Sequence, residues 1–599
     1  MIDTQITLVE PALDTSLVVS SEIERIRVFI ADYKAGRMDA DSFRRFRLQN
    51  GIYGIRGQVD IQMVRLRIPL GRLTAVQLEA LGRAAGTYAR GLGHVTTRQD
   101  IQLYWVPLER VPDLLAHLAA VGLTTRETSG SVVRNVTIDP LAGVAPDEAF
   151  DVRPYAYAVM RFWLRNPLSQ NLPRKIKIAF SGSPADRAAT GIHDIGALAV
   201  MHWIDRKPMP GFQIFVGGGL GSSPHAAQLL EEWTPEANLL PTIEAIVRVF
   251  DRLGNRQTRG RARLKFLVDQ LGIEAFRQFV FKERAVLPLV CAQPYPEFQA
   301  IPDGNGWGVS PSVRSGNGNA HNGSEDKEAG YQRWLESNTV RQKQAEYMAV
   351  TLAVPGGDLT AIQFDCLASI VREFAHGECF TTIGQSIVLR WVPQPSVHEL
   401  FLSLREIGLG QPGAGRLAKV VGCPGADTCN TAITTSHRLV LELSRRLAAR
   451  PDLTFAPDLR DIDIRVGGCP NSCGHHQVAA IGFYGGARRV NGLQTPHYVM
   501  LLGGRVLPGK VVFGKPVTSV PAKRVPEAVE RVISLYRAGR ENEKETFHDW
   551  IGRVGTASLK NLFEDLKDLG DPGLAPDLYR DWGQDFPFKL QVGESECAV

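Results

Sequence analysis

Two stretches of the chain alternate apolar and polar residues in the manner of strands buried on one face: VRLRIP at 64–69 and VTLAVP at 350–355. Each is followed by a Thr-x-x-Gln capping box, which predicts the start of a helix, and by a glycine where that helix would end. These residues are Thr74, Gln77 and Gly91 in the first unit and Thr360, Gln363 and Gly377 in the second. Strand–turn–helix–strand units of this kind predict an α+β fold.

The two units belong to an internal repeat. Residues 64–91 and 350–377 match without a gap at Val, Leu, Pro, Gly, Leu-Thr-Ala, Gln, Leu, Ala and Gly, an offset of 286 residues. Beyond them, TTRQDIQLYWVP at 96–107 corresponds to TTIGQSIVLRWVP at 381–393, which indicates an insertion of one residue in the second copy. We therefore expect a duplicated chain.

The repeat continues more weakly into a second module. LPRKIKIAFSGS at 172–183 and DIDIRVGGCPNS at 461–472 both place an alternating basic and apolar strand before a turn that contains glycine. Cysteines occur in the second stretch, and the basic residues are concentrated in the first. This asymmetry predicts a single site that is shared between two pseudo-symmetric halves.

The composition is that of an ordinary globular protein. The 599 residues are 44% hydrophobic and 22% charged, and 68 basic against 63 acidic side chains give a net charge of +5. This balance is too weak for nucleic acid but suits an anionic ligand or an acidic protein partner. No basic-then-apolar segment opens the chain, and no stretch approaches the about 18 apolar residues of a membrane span. We expect a cytoplasmic protein without a membrane segment, in which thiols stay reduced.

Four of the eight cysteines lie in two glycine-rich loops, Cys423 and Cys429 in VGCPGADTCN and Cys469 and Cys473 in GGCPNSCG. The C-x5-C spacing is wider than is usual for zinc, and the C-x-x-C pair of a redox disulfide is absent. A [4Fe–4S] cluster takes four thiolates and tolerates wider loops, so the spacing favours a cluster over zinc or unrelated thiols. The isolated cysteines are interpreted as bystanders: Cys291, Cys366, Cys379 and Cys597.

CPGADTCN and GGCPNSCG, within a duplicated chain, resemble the sirohaem-containing nitrite and sulfite reductase family over roughly residues 45–540. The supporting motifs are TTRQDIQ (96–102), VRNVTIDPLAG (133–143), LPRKIKI (172–178), HDIG (193–196) and VGGGLG (216–221). The resemblance implies an α+β fold with two pseudo-symmetric halves. Each half would contain a small ferredoxin-like repeat domain and a larger sirohaem-binding α/β domain.

The repeat and the resemblance together divide the chain into seven parts. These are an N-terminal helical segment (1–50), a first ferredoxin-like repeat (51–130), a first sirohaem-binding half with the basic residues (131–310), a linker (311–345), a second ferredoxin-like repeat (346–420), a second half that binds sirohaem and the cluster (421–540), and a C-terminal tail (541–599). We expect the tail to carry no chemistry.

The resemblance also implies roles for the cysteines. Cys423, Cys429, Cys469 and Cys473 would ligate a [4Fe–4S] cluster, and Cys473 would also bridge to the sirohaem iron. A sulfur shared by two redox centres couples them and leaves the opposite face of the haem for substrate. His475 and His476, which follow directly, are then interpreted as loop or packing residues.

Four basic residues match the substrate-binding residues of the family: Arg98, Arg134, Lys175 and Lys177. Lys175 and Lys177 are two apart on a predicted strand and so share a face. Positions that are candidates to contact the carboxylates of sirohaem are Arg65, Gln99, Asn135, Arg174, Arg261, Arg263, Lys265 and Asn471. In the second copy the counterpart of Arg98 falls at Ile383 or Gly384, so one half alone is equipped for substrate.

The implied reaction is the six-electron reduction of a small oxyanion, with sulfite to sulfide preferred over nitrite to ammonia. The chain has no recognisable flavin or NADPH module, so we expect ferredoxin, or a separate flavoprotein subunit, to supply the electrons. The predicted assembly is a monomer. A different class stays open at this point: a zinc-stabilised, non-enzymatic binding module that uses the basic strand for a partner.

Overall fold

Short strands and amphipathic helices alternate along the residues that the computed structural model describes, which are 11, 13–287 and 324–593. The strands are β1 Ile52–Gly54, β2 Ile61–Leu66, β3 Arg72–Thr74, β4 Leu92–Val95, β5 Ile101–Pro107, β6 Thr137–Ile138, β7 Ile178–Ser181, β8 Ile195–Ile204, β9 Lys207–Val216, β10 Gln228–Pro235, β11 Thr339–Arg341, β12 Tyr347–Leu352, β13 Asp358–Thr360, β14 Glu378–Thr381, β15 Ile387–Pro393, β16 Val421–Gly422, β17 Ile464–Gly467, β18 Ile481–Val490, β19 Leu493–Leu502, β20 Arg505–Leu507, β21 Lys510–Val512 and β22 Lys515–Pro521.

The helices connect these strands and cover the sheets. They are α1 Ser20–Lys34, α2 Ala40–Gln49, α3 Ala75–Tyr88, α4 Val111–Ala119, α5 Arg153–Trp163, α6 Glu236–Leu253, α7 Leu264–Leu271, α8 Ile273–Arg284, α9 Ser324–Asn338, α10 Ala361–Phe374, α11 Val397–Glu406, α12 Ser436–Ala448, α13 Pro451–Thr454, α14 Val525–Gly539, α15 Phe547–Val554 and α16 Thr556–Leu559.

Two small sheets exchange a strand between the halves of the chain. The first has the order β1-β2-β5-β4-β13 and the second has the order β11-β12-β15-β14-β3, so each half donates one strand to the sheet of the other. The two predicted capping boxes are confirmed: Thr74 with Gln77 starts α3, and Thr360 with Gln363 starts α10. Both helices contribute to one core that is shared by the small sheets.

Helices α3 and α10 cross at a glycine. A Cβ atom at Gly82 would lie 2.9 Å from the carbonyl oxygen of Ala361, so the close approach of the two helices requires the missing side chain. The shared core, the exchanged strands and this crossing join the two repeats into one unit. The α+β fold with two pseudo-symmetric halves is confirmed.

Two larger sheets carry the second module of each half. They have the orders β10-β9-β8-β7-β6 and β16-β17-β18-β19-β22, and in both the first short strands pair in parallel before the sheet becomes antiparallel. Each large sheet has its own hydrophobic core. Because parallel neighbours end at the same edge, the loops that follow β6, β7, β16 and β17 lie at the edges that face the small sheets.

The one-residue insertion predicted for the second copy is wrong. Thr96 Oγ1 accepts from the backbone N–H of Arg98 at 3.1 Å, and Thr382 Oγ1 accepts from the backbone N–H of Gly384 at 3.1 Å. The two loops therefore correspond without a gap, and Arg98 corresponds to Gly384. The sequence match was misplaced because both copies contain a Thr-Thr pair, at positions that differ by one.

Gln99 and Gln385 form hydrogen bonds that connect the two halves. Each side-chain amide donates to a backbone carbonyl across the seam between the halves, and accepts a backbone N–H from the large sheet of its own half. The partners are Thr381 O and Ile138 N for Gln99, and Val95 O and Gly422 N for Gln385. This use of Gln99 explains why the residue is fully buried.

The predicted linker 311–345 is shorter than expected on its C-terminal side. Helix α9 and strand β11 lie within it, because Trp334 is fully buried and Tyr331 and Leu335 pack against the shared core. The part from 311 to 323 lies outside the described residues.

The C-terminal tail covers the second large domain. Trp550 and Phe563 belong to its hydrophobic core, and the carboxylate of Asp581 accepts from the backbone N–H of Thr435 at 2.8 Å. Thr435 immediately precedes α12, the helix that follows the first cysteine loop. The tail thus supports the backbone beside this loop.

A cluster of two histidines and a carboxylate joins the halves at the β4–β13 pair. His94 Nδ1 lies 2.7 Å from one oxygen of Asp358, and His437 Nε2 lies 3.1 Å from the other. The amide nitrogen of Gln385 lies 3.1 Å from His94 Nε2, and its amide oxygen is fixed by the N–H of Gly422. His94 Nε2 is therefore the acceptor, and its Nδ1–H donates to Asp358. A metal at Nδ1 would require the opposite tautomer, so the geometry favours a proton here.

This cluster predicts that the contact between the halves at β4 and β13 stabilises the fold to an extent that depends on pH. Burial raises the pKa of Asp358, but its hydrogen bonds with His437 and His94 and the charge of His437 lower that pKa below its ordinary value. Burial lowers the pKa of His437, yet Asp358 raises it above the ordinary value. The carboxylate therefore stabilises the fold above about pH 4, and the imidazolium does so below its raised pKa. Asp358→Asn is expected to cost about 1.5–3 kcal/mol at pH 6 and less at pH 9, measured by unfolding midpoints.

The control lies in the β3–β14 pair, which is the corresponding contact between the halves. Arg72 occupies the place of Asp358 and pairs with Glu378. Burial raises the pKa of Glu378, but the charges of Arg72 and Arg390 lower it below its ordinary value, so this carboxylate keeps its charge from pH 6 to pH 9. Arg72→Gln is therefore expected to lower the midpoint by the same amount at both values. An Asp358→Asn effect that does not change between pH 6 and pH 9 would refute the titrating seam.

Candidate active site

The four predicted cluster cysteines converge at the edge of the second large sheet. Cys423 follows β16 and Cys469 lies two residues beyond β17, the parallel neighbour of β16. Burial, then the charge of a Cys473 thiolate, raises the pKa of Cys423 to about 11. Burial and the charge of Cys473 also raise the pKa values of Cys429 and Cys469. Thiols that oppose each other's ionisation in this way face one site, and a cationic group there would hold all four as thiolates.

Hydrogen-bond donors surround these sulfurs. The backbone N–H of Gly468 donates to Cys423 Sγ at 3.2 Å, and the hydroxyl of Ser436 lies 3.2 Å from the same sulfur. The hydroxyl of Thr431 lies 3.4 Å from Cys429 Sγ. A Cβ atom at Gly468 would lie 2.8 Å from Thr434 O, so the close backbone requires glycine. Four cysteine thiols with such donors fit a [4Fe–4S] cluster.

The first half fills the corresponding position with charges. With the offset of 286, Ser183 and Arg187 stand where the second half has Cys469 and Cys473. The Arg187 guanidinium pairs with Asp139 at 3.1 Å and with Asp147 at 3.0 Å. This ion-pair network occupies the first-half counterpart of the cysteine site, so the described residues form one four-thiol site.

Contacts across the seam hold the loop of Cys473. The hydroxyl of Thr97 donates to the backbone carbonyl of Cys473 at 2.8 Å. The amide of Gln477 donates to Gly221 O at 2.6 Å and accepts from Gly221 N at 3.2 Å. The loop of the second half is therefore clamped between two loops of the first.

Arg98 lies deep between the halves, with 8% of its surface exposed. Its guanidinium donates to Thr137 Oγ1 at 3.3 Å and to the carbonyl of Asn135, and its Nε has no partner among the described residues. Burial and the charge of Arg134 lower its pKa to about 10, although the charge of Asp100 opposes this shift. Such a buried cation with an unused donor fits an anionic ligand.

Lys177 lies between the basic residues and the cysteine loop. Burial, and then the charges of Arg98, Lys175 and Arg263, lower its pKa well below the ordinary value, and a thiolate at Cys473 opposes this shift. The structure thus brings Lys177 and the loop of Arg98, both of the first half, up to Cys473 of the second, and Lys175 lies near Lys177. The concentration of positive charge fits a polycarboxylate such as sirohaem together with a small oxyanion.

Arg134 is folded onto its own loop. Its guanidinium donates to Thr128 O at 2.6 Å and to Gly130 O at 2.7 Å, and 6% of its surface is exposed. Its charge acts on Arg98, which places the two cations in one neighbourhood.

Several of the predicted sirohaem contacts have protein partners. Arg263 forms a bidentate pair with Asp194 at 2.7–2.8 Å, and Lys265 Nζ donates to Leu220 O at 3.2 Å in the VGGGLG loop. The side-chain nitrogen of Asn135 donates to Asp100 at 2.8 Å, and its side-chain oxygen Oδ1 has no partner among the described residues.

The remaining predicted contacts lie nearer the surface. Arg65 stacks over the ring of Tyr53 at 4.7 Å, and Arg174 is half-buried. Asn471 is exposed with its amide 3.4 Å from Thr431 Oγ1, and Arg261 is exposed on a short turn. The structure does not bring Arg261 to the cysteine site by any contact among the described residues.

Two residues of the HDIG motif belong to the site although the sequence assigned them no role. Asp194 accepts from the backbone N–H of Lys177 at 2.9 Å and also holds Arg263. His193 is buried, and burial together with the charges of Arg98 and Lys177 lowers its pKa well below the ordinary value. The motif itself was the available signal, since it precedes a strand next to the predicted basic strand.

The histidines after Cys473 are packing residues in this geometry. His476 stacks on Tyr484, with ring centroids 5.2 Å apart, and is fully buried. His475 has 3% of its surface exposed and adopts a left-handed backbone with φ of 62°. Of the isolated cysteines, Cys379 is buried and Cys366 is half-buried, while Cys291 and Cys597 lie outside the described residues.

Among the described residues, no helix has the length and apolar character needed to cross a membrane.

The chain matches two family descriptions, each of them twice. "Nitrite and sulphite reductase 4Fe-4S domain" matches residues 129–288 and 413–568, and "Nitrite/Sulfite reductase ferredoxin-like half domain" matches residues 55–121 and 340–407. The alternation of the two follows the duplication in the fold.

Similar proteins cover most of the chain. Sulfite reductase [ferredoxin] 1 of Mycolicibacterium paratuberculosis is 30% identical over 508 residues, which are 83% of either chain. Ferredoxin–nitrite reductase of Synechococcus elongatus is 30% identical over 79% of this chain and 85% of its own. The solved structure of Mycobacterium tuberculosis NirA superposes with a TM-score of 0.74 and 25% identity, covering 92% of this chain and 98% of NirA. The four-thiol site, the basic pocket and these matches show that the chain belongs to the nitrite and sulphite reductase family, oxidoreductases that carry sirohaem and a [4Fe–4S] cluster.

Proposed function

We propose that the protein reduces sulfite to sulfide by six electrons, with ferredoxin as the electron donor. The observation that carries the proposal is the approach of Lys177 and the Thr97–Arg98 loop, from the first half, to Cys473 in the four-thiol site of the second. Among the similar proteins, the name sulfite reductase [ferredoxin] recurs most often. The zinc-stabilised binding module finds no support in these similarities.

In this proposal Cys423, Cys429, Cys469 and Cys473 would hold the cluster, and Cys473 would also serve the neighbouring sirohaem. When bound, the cofactor pair would relay the electrons of the donor to the substrate. Arg65 and Arg174 are proposed to contact the sirohaem carboxylates, and Asn135, whose unused Oδ1 can only accept a hydrogen bond, is proposed to line the pocket. Three other residues are proposed to hold the loops that line the pocket without contacting the cofactor themselves: Arg263, Lys265 and Gln99.

The basic residues bind the oxyanion and manage protons. Arg98 is held by backbone groups and keeps its charge, so it orients the anion. Lys177 has a lowered pKa and therefore releases a proton more readily than an ordinary lysine. Every oxygen that leaves sulfite departs as water and needs two protons, so donors are required at each step. Lys175 and Arg134 complete the positive pocket.

The test is turnover of sulfite and of nitrite by the holoenzyme. With reduced ferredoxin, we expect both anions to be reduced, with a higher kcat/KM for sulfite. A higher kcat/KM for nitrite would make the enzyme a nitrite reductase, and no turnover of either would overturn the reductase proposal. Methyl viologen serves as a second electron donor. Turnover with methyl viologen but not with ferredoxin would point to a flavoprotein donor. No turnover with either donor would mean that the site does not reduce these anions.

The monomeric state and the cytoplasmic location stay predictions from the sequence.

A further inference from the structure

The hydroxyl of Thr97 connects the loop of Arg98 to the loop of Cys473. Thr97 precedes Arg98 in the first half, and its Oγ1 donates to the carbonyl of Cys473 at 2.8 Å. We propose that Thr97 is a positioning residue, which fixes the backbone of Cys473 and so aims its thiolate relative to the oxyanion-binding residues. This inference rests on the proposed function, since it takes Cys473 as the sulfur shared by cluster and haem.

The loop of Thr97 does not depend on this hydroxyl for its own shape. The neighbouring Thr96 closes the turn, because its Oγ1 accepts from the backbone N–H groups of Arg98 and Asp100, both at 3.1 Å. The Arg98 guanidinium is held separately by Asn135 O. Removing the Thr97 hydroxyl therefore leaves the turn and the arginine in place and changes the contact to Cys473.

The Cys473 backbone, in contrast, needs an external constraint. It lies between two residues with left-handed backbone, Ser472 with φ of 56° and His475 with φ of 62°. Such conformations persist only where the surroundings hold them. The Gln477–Gly221 clamp holds the loop beyond His475, and the Thr97 bond acts at Cys473 itself.

The second copy of the duplication supports a specific role. Because Thr96 corresponds to Thr382, the counterpart of Thr97 is Ile383. Ile383 packs in an apolar cluster with Ala189 and Ile192, on the first-half loop that lacks cysteines. Thr97, with its hydroxyl, therefore faces the loop that contains Cys473. Its counterpart Ile383, which is β-branched and apolar, faces the first-half loop, which has no cysteine.

The comparison of Thr97 with Ile383 also suggests a substitution at Thr97 that the fold can accommodate. A β-branched side chain without a hydroxyl is accommodated by this backbone at Ile383, so Thr97→Val is expected to fold. Thr97→Ser keeps the hydroxyl and tests rescue. Ile383→Val is the matched control, because it makes a comparable change at the pseudo-equivalent seam, away from the thiols.

The experiment compares these holoenzymes at equal iron and sirohaem content. Thr97→Val is expected to lower kcat about five- to tenfold, the effect of losing one hydrogen bond, with KM for sulfite within about twofold of the wild type. Its electron paramagnetic resonance spectrum is expected to show altered haem–cluster coupling. Thr97→Ser and Ile383→Val are expected to keep the wild-type kcat and spectrum.

A Thr97→Val enzyme with wild-type kcat and spectrum overturns the inference, and so does a Thr97→Ser enzyme as impaired as Thr97→Val. The spectrum separates this inference from the proposed function. If the wild type reduces neither anion but the coupling still changes in Thr97→Val and not in Thr97→Ser, the positioning role stands and the proposed reaction fails. If the wild type shows no haem–cluster coupling, both fail.

Discussion

Replacing Cys473 with serine is expected to lower kcat for sulfite by more than about 100-fold. Mutating the outer-shell partners of a metal ligand already costs about 10–100-fold, and here the ligand itself is changed. A serine hydroxyl does not ionise at neutral pH and supplies no shared sulfur. Because Cys473 is exposed in the loop rather than part of a hydrophobic core, the fold is expected to survive. Turnover, iron and sirohaem content, and the visible spectrum of the purified protein measure the effect.

Cys366→Ser is the control for this change. Cys366 is a half-buried, isolated thiol on α10, so its replacement is expected to leave turnover and the spectrum unchanged. A Cys473→Ser protein with the wild-type spectrum and turnover would contradict the bridging role.

The parts of the fold that the sequence predicted correctly are those with local signals. The capping boxes at Thr74 and Thr360 begin helices because a threonine hydroxyl and a glutamine amide satisfy free backbone groups within four residues. The convergence of the cysteine loops followed from two short stretches of unusual composition. The capping boxes depend on neighbours in the chain, whereas the cysteine loops were recognisable by their own composition and spacing.

The strand exchange had no such signal. Strands β3 and β13 are three residues long and pair with strands of the opposite half, so their register depends on the docking of the two repeats. The correspondence of Arg98 with Gly384 follows from equivalent hydrogen bonds of Thr96 and Thr382, whereas residue identity alone favours matching Thr96 with Thr381.

The sequence predicted which side chains carry positive charge, but it did not predict which groups those side chains contact. The basic segment around Arg263 and Lys265 suggested contacts with carboxylates of a cofactor. In the structure Arg263 pairs with Asp194, and Lys265 holds carbonyls of the VGGGLG loop. A buried cation takes the nearest anion or carbonyl that the fold presents, and that choice is made in three dimensions.

Lys177→Gln is expected to lower kcat/KM for sulfite about 10²–10⁴-fold, the range for a positioned proton donor. Burial and the charges of Arg98 and Lys175 lower the pKa of Lys177 well below that of an ordinary lysine. Protonated Lys177 binds the anion, so the wild-type kcat/KM is present at pH values below this pKa and lost as the pH rises through it. That loss is expected below about pH 10.4, where a free lysine would titrate. The profile of kcat/KM against pH measures both effects.

Lys177→Arg separates charge from proton supply, because arginine keeps its charge but does not release a proton. It is expected to retain a KM near that of the wild type while kcat falls, and to lose the alkaline decline. Lys282→Gln, at an exposed position on α8, is expected to leave the profile unchanged. If Lys177→Arg instead kept the full kcat with the wild-type alkaline decline, Lys177 would act as a charge alone, and the protons would have to come from another group in the pocket.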